Sequence, residues 1–149
     1  MSLIDTVRSL LNAKGKAVWA LPPDATVYEA IELMAEKGVG AVLVISEGKL
    51  AGILSERDYA RKVILQGRSS KDTLLREIMS RPVLTVDPGA TVDECMRIVT
   101  EHRIRHLPVM EGDRVVGIVS IGDLVRSIIS AQAATIDQLH SYIAGKYPG

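Results

Sequence analysis

Gly52-Ile53-Leu54-Ser55-Glu56-Arg57-Asp58 is answered, 65 residues further on, by Gly117-Ile118-Val119-Ser120-Ile121-Gly122-Asp123. Working outward from these two stretches, Pro23–Arg61 aligns with Pro88–Arg126 without a gap, and twelve of the 39 paired positions are identical. The identities are Pro23/Pro88, Ala25/Ala90, Thr26/Thr91, Val27/Val92, Glu29/Glu94, Glu36/Glu101, Val44/Val109, Gly52/Gly117, Ile53/Ile118, Ser55/Ser120, Asp58/Asp123 and Arg61/Arg126. About half of the other pairs exchange one apolar residue for another. A repeat of this length is one supersecondary unit that buries its apolar face against its neighbour. Packing alone does not ask twice for a Ser and an Asp at the end of an apolar run.

Each copy reads as strand, helix, strand, strand, helix. In the first, Ala17–Leu21 is a short apolar stretch ended by Pro22-Pro23, and Val18-Trp19 is its strand. Thr26-Val27-Tyr28-Glu29 is a capping box opening a helix with Ile31, Met34 and Ala35 on one face, stopped by Gly38. Ala41–Ile45 and Leu50–Leu54 form a hairpin about Ser46-Glu47-Gly48, and a helix follows from Glu56 to Gln66. The second copy repeats this with Val83–Val86, a capping box at Thr91–Glu94, a helix to His102, a hairpin of Leu107–Met110 with Val115–Val119, and a helix Ile121–Ser130. The expected fold is mixed α/β, two β-α-β-β-α units related by a pseudo-two-fold, with their sheets buried against each other. The expected divisions are an N-terminal helix over 1–12, a first repeat over 13–66, a linker over 67–77 with a helical turn at Leu74–Met79, a second repeat over 78–130 and a helical tail over 131–149.

Composition bounds the function. Lys plus Arg equals Asp plus Glu at 18 each, so no global field draws in nucleic acid or an acidic membrane. No apolar run is long enough to span a bilayer, the N-terminus lacks a secretory signal, and the single Cys95 rules out an internal disulfide. A cytoplasmic location is expected. Phe is absent, so the core must be aliphatic.

The Ser-x-x-Asp pairs have two readings. In one, Ser caps a helix and Asp favours its dipole, with no ligand involved. In the other, free amides at a helix start accept a phosphate, and a carboxylate beside them accepts both hydroxyls of a ribose. Their double occurrence raises the second and leaves both open.

The repeat, with an apolar pair between Gly and Ser in each copy, resembles a tandem pair of CBS domains, named for cystathionine beta-synthase. Ile78-Met79-Ser80-Arg81-Pro82-Val83 and Arg103-Ile104-Arg105-His106-Leu107-Pro108-Val109 carry the same resemblance, which covers about residues 12–130. It implies a regulatory module that binds an adenosine-containing ligand, AMP, ADP, ATP, NAD(H) or S-adenosylmethionine, in the cleft between repeats. By that resemblance Asp58 and Asp123 would accept from ribose, and Ser55 and Ser120 would touch phosphate or ribose. Val18, Trp19, Val83 and Leu84 would present backbone to the adenine edge. Ile53, Ile104 and Ile118 would pack on its ring. Arg57, Arg81, Arg103, Arg105 and His106 would neutralise phosphate, for which guanidinium forks are suited.

The copies differ in charge. Arg105-His106 stands where the first copy has Gly40-Ala41, and Arg57 stands where the second has Gly122. This predicts a dominant site near Asp123 with Arg103, Arg105 and His106 on its phosphate. His102 and His106 lack a third ligand, so no metal site is expected, and Cys95 is expected to be inert packing. No P-loop or nucleophile–base pair argues for an enzyme. The alternatives are a structural dimerisation module with an empty cleft and a nucleotide-acting enzyme. A homodimer is expected because Leu3, Ile4, Val7, Leu10 and Leu11 before the repeats, and Ile136, Leu139, Tyr142 and Ile143 after them, are apolar faces that the inter-repeat core does not need.

Overall fold

The computed structural model describes residues 5–143, without the side chains of 133–135 and 138–143. Its elements are α1 (Val7–Lys14), β1 (Ala20–Leu21), α2 (Val27–Lys37), β2 (Ala41–Ser46), β3 (Lys49–Ser55), α3 (Glu56–Tyr59), a π-helical turn (Ala60–Ile64), α4 (Leu75–Ile78), α5 (Val92–His102), β4 (His106–Glu111), β5 (Arg114–Ser120) and α6 (Ile121–Ile143). In the first repeat β1 lies parallel to β2, and β2 pairs antiparallel with β3. In the second, β4 and β5 form the equivalent hairpin. Both hairpins slip register at the same place, Val44/Ile45 and Val109/Met110.

The capping boxes form as the sequence dictates. Thr26 Oγ1 accepts from Glu29 N at 3.1 Å while Glu29 answers on Thr26 N at 3.0 Å, and Thr91 with Glu94 does the same. The faces they launch are Val27, Ala30 and Met34 in α2 and Val92, Cys95 and Val99 in α5, all buried at matching positions. Ala35, expected on that face, is exposed, because the stripe runs one position earlier along the helix. Burial pushes the Cys95 thiol up to about 11, with Glu94 and Asp87 adding to it, so a neutral thiol is core filler.

Three boundaries differ from expectation. Val18-Trp19 is not a strand: pairing begins at Ala20, although Trp19 O already accepts from Leu43 N at 2.9 Å. Val83-Leu84 is also irregular, and only Val86 makes a parallel bridge, to Val109. The helix expected to run from Glu56 to Gln66 is a single α-turn that widens into π geometry at Ala60–Ile64, with Leu65 N donating to Ala60 O at 3.0 Å.

The largest difference is how the core is shared. The buried apolar residues form two clusters, one per repeat, in place of one core between the sheets. Each cluster is completed by a segment from outside its repeat. α1 packs Val7, Leu10 and Leu11 into the second repeat, and α4 with the residue after it packs Leu75, Ile78 and Met79 into the first. The two arms dock identically. Val7 N donates to Ala90 O, Arg8 N to Pro88 O, and Val92 N to Asp5 O; Leu75 N donates to Ala25 O, Arg76 N to Pro23 O, and Val27 N to Thr73 O. Where each arm crosses its sheet the sheet residue must lack a side chain. A Cβ on Gly52 would lie 2.6 Å from Met79 Sδ, and one on Gly117 would lie 2.8 Å from both Leu11 methyls. This explains the repeated glycine. It also corrects the expectation that the N-terminal apolar residues are surplus: Val7, Leu10 and Leu11 are core. Leu3 and Ile4 lie outside the described residues, as do the side chains of Leu139, Tyr142 and Ile143.

Candidate functional site

A cleft of about 220 Å³ opens between the repeats. Its floor is Ile53, Val83, Leu84 and Ile104, and its polar wall is Ser55, Glu56, Arg57, Asp58, Arg61 and Ser80. Arg103, Arg105 and His106 come from the other repeat, beside Gly40 and Pro82. The loop after α5 delivers them because Arg103 takes the left-handed conformation that Gly38 takes after α2, turning the chain straight into β4. Arg57 Nη1 reaches across to Arg103 O at 3.3 Å, tying the two walls.

Ten residues expected from the sequence meet here: Ile53, Ser55, Arg57, Asp58, Val83, Leu84, Arg103, Ile104, Arg105 and His106. The grouping differs from expectation in several respects. The sequence places Arg103, Arg105 and His106 with Asp123, but they line the cleft that holds Asp58. The strand His106–Glu111 begins at the seam, so residues just before it face the opposite repeat. Arg81 sits with Leu50, Ala51 and Met110 in a separate depression. Trp19 packs on the first repeat's core under the Lys37 ammonium, 4.7 Å from the ring centre. Val18, Ile118, Ser120 and Asp123 are also outside the lining of this cleft.

Asp58 and Asp123 are held alike on one oxygen and differently on the other. Ser55 N donates to Asp58 Oδ2 at 3.0 Å and Ser120 N to Asp123 Oδ2 at 2.8 Å, while each Ser Oγ accepts from its Asp N at 3.2 Å. The capping reading of the motif is therefore realised in both copies. Asp58 Oδ1 then meets only the Ser80 hydroxyl at 3.3 Å and the Lys62 ammonium at 3.7 Å. Asp123 Oδ1 accepts from Arg126 Nη2 at 2.7 Å, and its Oδ2 also accepts from Lys14 Nζ at 2.7 Å. Asp58 keeps 19% of its side chain exposed and Asp123 only 8%. Counting the Ser55 hydroxyl, which donates to Asp58 Oδ2 at 3.1 Å, each carboxylate accepts three hydrogen bonds, but those on Asp58 come from neutral groups while Lys14 and Arg126 close Asp123 with charge. Burial works to raise the Asp123 pKa, but the Lys14 hydrogen bond and the Ser120 amide outweigh it and hold the carboxyl below its ordinary value.

His106 is half-buried between the two carboxylate regions. Burial pushes its imidazole below the usual value, Asp123 and Glu56 oppose this, and Lys14 and Arg105 add to it. A neutral imidazole and guanidinium groups facing a carboxylate across an apolar floor can hold a molecule with an apolar ring, a diol and an anion.

The CBS-domain sequence profile matches residues 15–64 and 75–130. The chain belongs to the CBS-domain family. It is 40% identical over 152 residues to the CBS domain-containing protein CBSX3, mitochondrial, of Arabidopsis thaliana, covering 95% of this chain and 73% of that protein. Among solved structures it is similar to a putative signal-transduction protein with CBS domains from Burkholderia ambifaria, at 52% identity and TM-score 0.82, covering 85% of this chain and 95% of that one. It is also similar to the CBS domain pair of protein MJ0100, solved in complex with 5′-methylthioadenosine and S-adenosyl-L-methionine, at 27% identity and TM-score 0.76, covering 85% of this chain and 98% of that one.

Sequence reasoning missed Gly40, Glu56, Arg61, Ser80 and Pro82 in the cleft of this CBS pair, and Lys14 and Arg126 at Asp123. A signal existed for most. Arg61/Arg126 is one of the repeated identities, and Ser80 and Pro82 lie inside the stretch that carries the resemblance. Lys14 carried none, because it lies outside the gapless alignment.

Proposed function

We propose that this CBS pair is a regulatory module that binds an adenosine nucleotide carrying phosphate, AMP, ADP, ATP or NAD(H), in the cleft at Asp58. The observation that carries the proposal is the position of Asp58, whose Oδ1 accepts only a long hydrogen bond from the neutral Ser80 hydroxyl, at the edge of an apolar floor ringed by Arg57, Arg61, Arg103 and Arg105. The ribose diol donates to Asp58. The base lies on Ile53, Val83, Leu84 and Ile104. The guanidinium groups take the phosphates through charged, two-pronged hydrogen bonds. The adenosine ligands of the MJ0100 relative support the nucleoside half of this reading. Four guanidiniums favour an anionic nucleotide over a sulfonium such as S-adenosylmethionine.

The module binds without turnover and signals through shape and association. The second copy is the proposed partner. α6 leaves Val125, Ile129 and Ile136 exposed along one helical stripe, an apolar face that a homodimer covers.

The test is a thermal-shift and calorimetry panel of AMP, ADP, ATP, NAD and S-adenosylmethionine, with light scattering at tens of micromolar protein. Ligand that binds only the folded state raises the melting temperature by mass action. Stabilisation by the phosphorylated ligands, without ATP or NAD consumption, is the expected result. No binding of any of the five at millimolar concentration overturns the sensor reading, and a monomer with and without ligand overturns the dimer.

A further inference from the structure

The two docking arms differ in length by one short step, and that step has a consequence at Asp123. Within the repeats, and through β1, the offset between copies is 65: Leu21 pairs with Val44 as Val86 bridges to Val109. Between the arms it is 68, since Val7 and Arg8 make the hydrogen bonds that Leu75 and Arg76 make. Leu11 lies over Gly117 as Met79 lies over Gly52, at the same offset. After that crossing the linker arm passes directly to Ser80, while the N-terminal arm has three more residues, Asn12-Ala13-Lys14, before Gly15 restores the 65 offset. These residues extend α1 to Lys14, whereas α4 ends at Ile78.

In the first repeat Ser80 performs two tasks. Its N–H donates to Ile53 O at 2.9 Å, and its hydroxyl donates to Asp58 Oδ1 at 3.3 Å. In the second repeat the Lys14 ammonium performs both, donating to Ile118 O at 2.9 Å and to Asp123 Oδ2 at 2.7 Å. Arg126 takes the remaining oxygen of Asp123. Its counterpart Arg61 lines the open cleft, and Asp58 Oδ1 is faced by the Lys62 ammonium only from 3.7 Å. A cation thus stands against each oxygen of Asp123, whereas the hydrogen bonds to Asp58 come from the neutral groups of Ser55 and Ser80.

Resting on the proposed nucleotide reading, we infer that Lys14 is a built-in occupant of the second nucleoside position and restricts this chain to one nucleotide. The ammonium stands in for the ribose hydroxyls at Asp123. The lysine side chain keeps 33% of its surface exposed, so it is a plug at the mouth of the position and not part of the packed core.

The test is titration calorimetry with AMP on the full chain and four variants. Wild type is expected to bind one AMP, and Asp58→Asn to bind it at least tenfold more weakly. Lys14→Ala is expected to bind two, and Lys14→Ala/Asp58→Asn one. Asp123→Asn in the otherwise native chain is expected to keep one AMP with affinity within threefold of wild type. That arm stands independently if the lysine variants fail to fold. One AMP in Lys14→Ala with none in the double variant overturns the inference alone. So does a tenfold loss in Asp123→Asn. Two AMP in wild type falling to one in Lys14→Ala makes Lys14 a phosphate ligand and also overturns it. A wild-type chain that takes up no AMP overturns the inference for that nucleotide, and one that takes up none of the five panel ligands overturns the nucleotide reading beneath it.

Discussion

Asp58 and Asp123 sit at the same step of the same motif, capped by the same serine geometry, and end in opposite states. Asp58 lines a cleft with neutral donors on its oxygens, and Asp123 is closed by two cations at 2.7 Å. The motif itself builds only the strand-to-helix junction. What surrounds the junction comes from elsewhere: the arm that crosses the sheet, the residue four or three places along the helix, and the opposite repeat. Lys62 faces Asp58 at 3.7 Å while Arg126 binds Asp123 at 2.7 Å, so even the helix chooses a different cation in each copy. A repeated motif therefore specifies the same scaffold twice and leaves its surroundings to other parts of the chain.

The largest expected effect separates the two carboxylates by function. Asp58→Ala removes a charged acceptor for the ribose, worth about 1.5–3 kcal/mol, or about 10- to 150-fold in affinity for AMP by calorimetry. Asp123→Ala leaves AMP affinity within about threefold but strips the Ser120 amide of its partner, costing about 1–3 kcal/mol of folding stability in urea melts. Equal affinity losses from the two substitutions would erase the distinction between the repeats.

Next, the arms are expected to be equivalent where the carboxylates are not. Gly52→Ala and Gly117→Ala each press a methyl into an arm, against Met79 and Leu11, and each should destabilise the fold by about 1–3 kcal/mol in denaturant melts. A variant as stable as wild type would show that its arm is not seated on the sheet.

The acid limb of the stability curve sharpens the comparison further. The folded Asp123 carboxyl lies below its ordinary value, so its contribution is full above the unfolded-state pKa, about 4, and is lost as the pH falls through the lower folded value. His106 has a depressed pKa too, so the unfolded chain takes the proton first. Its contribution is full above about 6.5 and is lost as the pH falls below that. Melting temperature measured from pH 8 to 3 should decline in two stages. Asp123→Asn should flatten the lower stage and His106→Gln the upper. An unchanged profile in either variant removes that group from the account.

The smallest effect concerns the rim. Arg57→Gly gives the first repeat the residue of the second at Gly122, and it should weaken AMP by about three- to tenfold, less at high salt, because an exposed guanidinium is screened. No loss at low ionic strength would place Arg57 outside the phosphate field.

Much of this was legible in the chain before any coordinates. The 65-residue period, the capping boxes at Thr26 and Thr91 and the apolar runs of β2 and β4 specify local geometry through short-range hydrogen bonds and burial, which sequence reports directly. The membership of the cleft was largely legible, because Ser55, Asp58 and the arginines before His106 are chemically conspicuous. Its pairing was not. Which basic cluster faces which aspartate depends on how the repeats sit together, and a gapless alignment holds no term for that. The arms were misread for a related reason. Val7, Leu10 and Leu11 are an amphipathic stripe whose partner, Gly117, lies over a hundred residues away, and amphipathicity reports that a face is buried without saying where. The match of Val7-Arg8 with Leu75-Arg76 was present in the sequence, hidden by its offset of 68.

The most direct measurement of the central claim is a crystal structure of the wild-type chain grown with AMP. The account predicts one nucleotide per chain, in the cleft between Ile53 and Ile104, with both ribose hydroxyls on Asp58 and Lys14 still bound to Asp123. A nucleotide whose ribose rests on Asp123, with Lys14 displaced and the Asp58 cleft empty, would contradict it.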